Sequence, residues 1–132
     1  MSEHPNIELT RRGYAAFGAG DMATLTELIA DDAVWHLGGR NPLSGDYKGR
    51  EAIFGLFGEL GQRSEGTFAI EIHDILANDD HAVVLTSVNA GGSHGKTLST
   101  HASDVSHIRN GQIVEYWTFA QDPYAWDDYL ND

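Results

Sequence analysis

Cysteine is absent from this chain of 132 residues. Without a thiol the chain can form no disulfide, no thiolate metal site and no cysteine nucleophile. Disulfide-stabilised scaffolds and cysteine-dependent enzymes are therefore excluded, and the composition gives no sign of an oxidising compartment.

Basic residues are scarce. The chain has 8 lysines and arginines against 20 aspartates and glutamates, which gives a formal net charge of −12 at pH 7. This excess of negative charge repels phosphate backbones and anionic lipid headgroups. We therefore expect no nucleic acid and no membrane among the partners of this protein.

Long apolar runs are missing as well. Nowhere does the sequence reach the roughly 18 consecutive apolar residues that indicate a membrane-spanning helix. The segment MSEHPNIELTRRG has no apolar core like that of a signal peptide, so we expect a cytoplasmic protein. The length suits a single domain over residues 1–132, with one buried core.

The first half of the sequence has the spacing of amphipathic helices. In GREAIFGLFGEL, residues 49–60, apolar residues recur every three or four positions along one stripe. A shorter helix follows Asp21, which can cap its amino terminus. Another helix is predicted over residues 6–19. The first half is thus predicted to be mostly helical.

The period changes to two after Gly66, as half-buried strands require. The asparagine–glycine pair at positions 110 and 111 predicts a tight hairpin, because both turn positions favour positive φ. Three helices followed by a meander of antiparallel strands indicate an α+β fold whose sheet buries one face against the helices. The strands are predicted from Phe68 onward and over residues 82–88, 98–108 and 113–119, after an earlier strand at 33–37.

Three segments, RRGYAAFGAGDMATLTELIADDAVWH, GDYKGREAIFGLF and SHIRNGQIVEYWTF, occur in this order along the chain. Together they resemble the SnoaL-like domains of the nuclear transport factor two-like superfamily, which are polyketide-cyclase-like proteins related to ketosteroid isomerase. The resemblance implies a cone, in which a curved antiparallel sheet wraps around the N-terminal helices as in the cystatin-like α+β barrel. It also implies a mostly apolar cavity for a small hydrophobic ligand, and a homodimer built on the outer sheet face.

The resemblance to ketosteroid isomerase implies a carboxylate base, a tyrosine hydroxyl and a protonated acid. Asp104 matches the position of the protonated acid. The tyrosine position falls on Gly13, with Tyr14 next to it, and the base position falls on Leu37, with His36 just before it. We take His36 and Asp104 as the candidate catalytic, proton-transferring residues.

The alternation along the predicted strand 98–108 places Asp104 on the same face as Leu98 and Ile108. This parity predicts that Asp104 points into the core, where a carboxyl without a cation must be protonated or hydrogen-bonded. The alternative is an acid that points into a polar dimer face.

Trp35 and His36 alternate on their strand, so they point to opposite faces. We expect one of these rings to contact the ligand and the other to anchor the loop after Leu37, and the sequence leaves open which ring does which. On the last strand, Trp117 shares a face with Phe119, and we expect that face to be inward. Core packing explains Trp117 equally well. The candidate ligand-binding residues are Tyr14, Trp35, Phe57, Trp117 and Phe119.

The resemblance to polyketide-cyclase-like members of this superfamily implies a last strand that ends with the pattern W-x-x-x-D. Here Gln121 stands four residues after Trp117, and the acid, Asp122, comes one residue later. On a regular strand the two side chains point to opposite faces, although a bulge could reverse them. Either residue could therefore face the cavity.

The tail DPYAWDDYLND, residues 122–132, is predicted to be too short and too charged for an independent helix. It could close the mouth of the cavity or pack on a partner subunit. No cluster of histidines and carboxylates has metal-ligand spacing. We therefore predict no metal and no cofactor.

Two classes of function remain open after these arguments. The first is a pocket protein of unproven chemistry that binds a small hydrophobic metabolite. The alternative is a cofactor-independent isomerase, cyclase or lyase that transfers protons on a small carbonyl compound. The sequence identifies neither the ligand nor the reaction.

Overall fold

A computed structural model describes residues 3–92 and 95–131. These residues form four helices and six strands, and the predicted α+β class is confirmed. In chain order the elements are α1 (Pro5–Ala19), α2 (Met22–Leu28), β1 (Ile29–Leu37), β2 (Gly45–Lys48), α3 (Arg50–Arg63), β3 (Ala69–Ala77), β4 (His81–Ala90), β5 (Leu98–Arg109), β6 (Gln112–Ala120) and α4 (Pro123–Leu130).

All six strands belong to one curved sheet, in the order β2-β1-β6-β5-β4-β3. Neighbouring strands are antiparallel except β1 and β6, which run parallel. Helix α1 lies against β3 and β4, and α3 lies against β1 and β2. One face of the sheet is therefore covered by helices, and the other face is the outer face, represented by Val83, Val105 and Trp117.

Local sequence signals explain where several elements begin and turn. The Asp21 carboxylate accepts a hydrogen bond from the backbone N–H of Thr24 and caps α2, as predicted. Gly20 ends α1 with φ 69°, a left-handed conformation that costs glycine little. Asn110 and Gly111 have φ values of 53° and 75°, so the predicted tight hairpin joins β5 to β6.

The tail, predicted to be too short and too charged for an independent helix, forms helix α4 against the rest of the chain. The Asp122 carboxylate caps the helix through the N–H groups of Tyr124 and Ala125. At the other end, the Lys96 ammonium donates to the carbonyl oxygens of Asp128 and Asn131, each at 2.6 Å. The helix is not independent, because groups of the remaining chain satisfy its carbonyls.

Among the described residues, no helix combines the length and the apolar character needed to cross a membrane.

Candidate functional site

A cavity of about 370 Å³ lies between the helices and the inner face of the sheet. Helices α1, α2 and α3 supply one side of it, the inner side chains of the strands supply the other, and α4 lies at the end. Most of its lining is aliphatic or aromatic. Such a volume falls within the usual range for small-molecule sites.

Aromatic rings form much of the cavity wall. The Trp35 ring stacks on Tyr116 with 4.6 Å between ring centroids. Phe57 packs edge-on against Trp35 and against Phe17, with centroid distances of 6.1 and 5.0 Å. Phe57 was expected to bind ligand, and the structure places it in the lining. These packed rings form an aromatic wall suited to a flat apolar molecule.

The lining also contains the polar residues Thr10, Asn41 and Ser106, but its main polar group surrounds Asp104, and we call it the polar cluster: Tyr14, Asp104, Tyr116 and Thr118. The Tyr14 hydroxyl donates to one carboxylate oxygen of Asp104. The Thr118 hydroxyl donates to the other oxygen at 2.7 Å. The residue Asp104 is only 3% exposed. The carboxyl is thus buried and hydrogen-bonded. This agrees with the prediction that Asp104 points into the core and not into a polar dimer face.

Burial controls the electrostatics of the polar cluster. It raises the pKa of Asp104 above its ordinary value, while hydrogen bonds from Tyr14, Thr118 and Tyr116 oppose this rise. Burial is also the main reason that the pKa of Tyr14 and that of Tyr116 are well above the ordinary tyrosine value, and Asp104 raises both further. The two hydroxyls therefore remain protonated, and Asp104 is the group of the cluster that can change charge.

Strand β5 places Asp104 as its alternation predicted. Every second residue from Leu98 to Ile108 is buried, and Asp104 belongs to this inner set. The register with β4 is continuous over this length. Because the pleat of β5 is uninterrupted, the alternation of its sequence correctly predicted which side chains point inward.

Strand β6 contains a bulge that reverses its faces. His107 pairs with Glu115 and Ile108 pairs with Ile113, so Val114 is an extra residue in β6. Before Val114 the inner residue is Ile113, and after it the inner residues have even numbers. The prediction that Trp117 lines the cavity is therefore wrong.

Tyr116 and Thr118 occupy the inner positions that had been expected for Trp117 and its neighbours. Trp117 pairs with Val105 on the outer face, where it stacks on His36 with 5.0 Å between ring centroids. Phe119 is 57% exposed but contacts the edge of the cavity. It belongs to the mouth of the cavity and not to its interior wall.

The alternation of β1 decides between Trp35 and His36. Trp35 is buried in the cavity wall, whereas His36 lies on the outer face. The His36 ring nitrogens lie 2.7 Å from carboxylate oxygens of Asp46 and of Glu115. These contacts tie β2 to β6 across β1, and the hydrogen bond with Asp46 is the main cause that raises the pKa of His36. His36 is thus an anchor outside the cavity, and it cannot act together with Asp104 inside it.

Neither Gln121 nor Asp122 faces the cavity. Asp122 caps helix α4, and both residues border a polar depression on the outer side of the sheet. The comparison with a strand ending W-x-x-x-D requires that Trp117 points inward. Because the bulge at Val114 turns Trp117 to the outer face, the comparison does not hold for this strand.

Helix α4 and the loop after β1 meet at the mouth of the cavity. One Asp127 carboxylate oxygen accepts from the Arg40 N–H and from the Asn41 side-chain amide, each at 2.9 Å. Trp126 and Pro123 of α4 contribute to the cavity lining. These lining residues were not predicted from the sequence, although an aspartate followed by proline is a typical helix start and indicates α4.

In the described part of the chain, no group of three or more histidines and carboxylates is arranged to hold a metal ion.

Comparisons with known proteins place this geometry among related folds. A family model for the SnoaL-like domain matches residues 10–116. The structure of Bal32a, from a soil-derived mobile gene cassette, is similar with a TM-score of 0.92 and 41% identity, over 96% of each chain. A protein of unknown function with a cystatin-like fold from Xanthomonas campestris has a TM-score of 0.90 and 28% identity, over 98% of this chain and 100% of that one. IdmH from Streptomyces antibioticus, proposed as a polyketide cyclase, has a TM-score of 0.74 and 25% identity, over 89% of this chain and 93% of that one.

Proposed function

Because the chain belongs to the SnoaL-like domain family, we propose that it binds one small, largely apolar molecule in the cavity between its helices and its sheet. The observation that carries this proposal is an aromatic-walled cavity of about 370 Å³ with one polar cluster. Ligand sites in proteins combine apolar walls with a few placed polar groups in this way. IdmH, proposed as a polyketide cyclase, supports a small organic molecule as the ligand.

Strand β4 offers a matched pair of variants to test this proposal. Val88 is buried and lines the cavity, while Val83 is half-buried on the opposite face of the same strand. Val88→Phe would fill part of the cavity, and Val83→Phe adds the same atoms outside it. We expect the neutral fluorescent probe N-phenyl-1-naphthylamine to brighten with the unchanged protein and with Val83→Phe, but much less with Val88→Phe.

Circular dichroism and thermal melting would establish that both variants are folded. If Val83→Phe abolished the fluorescence signal and Val88→Phe kept it, the probe would bind on the outer face and the proposal would fail. Absence of any signal with the unchanged protein, across a series of neutral aromatic probes, would also contradict it.

A second candidate function is proton transfer on a small carbonyl compound, and the buried Asp104 carboxyl favours it. The Asp104 carboxylate would take a proton from the carbon next to the carbonyl, and the C–H bonding pair would move to form an enolate. Once Asp104 carries the proton, it no longer needs the hydrogen bond from Tyr14. The Tyr14 hydroxyl could then donate to the enolate oxygen, where charge develops.

Exchange of ketone α-protons in deuterium oxide tests this second candidate. We expect 2-tetralone to exchange faster with the unchanged protein than in buffer, and Asp104→Asn to remove the acceleration. His36→Gln is the matched control, because His36 lies outside the cavity. Accelerated exchange that persists in Asp104→Asn would contradict proton transfer by Asp104. Exchange that never exceeds the buffer rate for a series of ketones would do the same, and ligand binding would then be the one proposed function that stands.

A further inference from the structure

The hydroxyl groups of the polar cluster have little left to donate to a ligand. A tyrosine or threonine hydroxyl has one proton and two lone pairs. Tyr14 and Thr118 give that proton to Asp104, and the Tyr116 hydroxyl also interacts with the carboxylate. The cluster therefore presents mainly acceptor lone pairs, and its best complement is a ligand that donates hydrogen bonds.

The charge of the cavity points in the same direction. Among the described lining residues, Asp104 is the single acidic residue, and no lysine, arginine or histidine lines the cavity. No positive charge among the described lining residues therefore balances the buried carboxylate. A buried charge is costly unless it is paired, and pairing it with a cation relieves that cost.

From the hydrogen bonds within the polar cluster and the charge of the lining, we infer that the cavity selects a protonated amine carried on an apolar, preferably aromatic, body. The ammonium group donates to the Asp104 carboxylate and to the oxygens of its neighbouring tyrosines. The aromatic body lies against the wall formed by Trp35, Tyr116 and Phe57. This inference rests on the proposed binding function and adds the chemical class of the ligand.

Three indole derivatives with different polar groups test the inference by isothermal titration calorimetry near pH 7. Tryptamine carries an ammonium group, tryptophol a neutral hydroxyl and indole-3-propionate a carboxylate. We expect tryptamine to bind about tenfold more tightly than tryptophol, because a hydrogen bond to a charged group is the stronger one. The carboxylate should bind most weakly, since no described lining residue is cationic.

Two variants separate binding at the polar cluster from attraction to the acidic surface. Asp104→Asn should remove the preference for tryptamine while tryptophol still binds. Asp32→Asn, which removes an exposed carboxylate outside the cavity, should retain the preference. Val88→Phe should weaken both ligands, because it fills the cavity.

The outcomes distinguish the inference from the function on which it rests. If tryptophol binds as tightly as tryptamine, the amine inference is overturned while cavity binding stands. Tryptamine binding that is unchanged in Val88→Phe or in Asp104→Asn is surface attraction and also overturns the inference. If none of the three compounds and no neutral probe binds, both the inference and the proposed function fail.

Discussion

The hydroxyl of Tyr14 on helix α1 donates a hydrogen bond to the carboxylate of Asp104 on strand β5, 90 residues later in the chain. This contact joins the helical layer to the sheet at the polar end of the cavity. Because Asp104 is buried there without a cation in the described lining, its pKa is raised. The same contact thus links the position of α1 on the sheet to the chemistry available in the cavity.

Asp104→Asn should change how stability depends on pH. The pKa of Asp104 is raised in the folded state by burial, so the native protein holds this proton more tightly than the unfolded chain does. Its stabilising effect is present below the unfolded pKa of about 3.9 and is lost as pH rises through the folded pKa. We therefore expect the free energy of unfolding of Asp104→Asn to increase relative to that of the unchanged protein from pH 4 to pH 7.

Urea denaturation at several pH values measures this difference. Asp32→Asn controls for the loss of one negative charge, because Asp32 is exposed on β1. A gap between Asp104→Asn and the unchanged protein that stays constant with pH would contradict the assigned shift.

Trp35→Ala and Trp117→Ala should differ in their effects. Trp35 is 6% exposed and contacts Tyr116 and Phe57, so its truncation should cost about 3–5 kcal/mol of unfolding free energy. Trp117 is half-buried on the outer face, and its truncation should cost about 1–2 kcal/mol. Denaturation measures the stabilities, and probe titration should show altered affinity for Trp35→Ala alone. Equal effects of both variants on affinity would be evidence against the assigned faces.

Gly39→Ala should destabilise the mouth of the cavity. Gly39 has φ 89°, and a Cβ there would lie 2.7 Å from the Asp127 carboxylate oxygen that holds the loop to α4. We expect a loss of about 2–3 kcal/mol from backbone strain and the displaced carboxylate. Gly38→Ala, with nothing within 4 Å of the new atom, should change stability by less than about 1 kcal/mol. The contact with Asp127 is refuted if thermal denaturation shows the two variants to be equally stable.

His36→Gln should lose most stability at mildly acidic pH. The hydrogen bond with Asp46, assisted by Glu115, raises the pKa of His36 in the folded state. The stabilisation is complete below the unfolded pKa of about 6.5 and disappears as pH rises through the folded pKa. The stability gap between the unchanged protein and His36→Gln should therefore narrow from pH 6 to pH 9. A stability gap that widens over this range would contradict the raised pKa of His36. His73→Gln is the control, because His73 is exposed on β3.

A homodimer built on the outer face stays a prediction. Leu76 is 53% exposed on this side of the sheet, next to half-buried Val83 and near Val105. We expect a dimer in sedimentation velocity at tens of micromolar protein, and a monomer for Val105→Asp. A monomeric unchanged protein at that concentration would contradict this expectation.

The sequence predicted the helical first half, the antiparallel strands and the inward direction of Asp104, because unbroken periodicity carries this information. It did not predict the direction of Trp117, since one extra residue, Val114, reverses the faces of β6 and has no clear local signature. Helix α4 was missed for another reason. Its stability depends on tertiary partners such as Lys96, which is distant in sequence.

The central claim is that a small apolar molecule binds inside the cavity. Intermolecular nuclear Overhauser effects with bound N-phenyl-1-naphthylamine test it most directly. The account predicts contacts from the probe to the rings of Trp35, Tyr116 and Phe57, which line the cavity, and none to Trp117. Contacts to Trp117 and Val83, with none to the cavity rings, would contradict it.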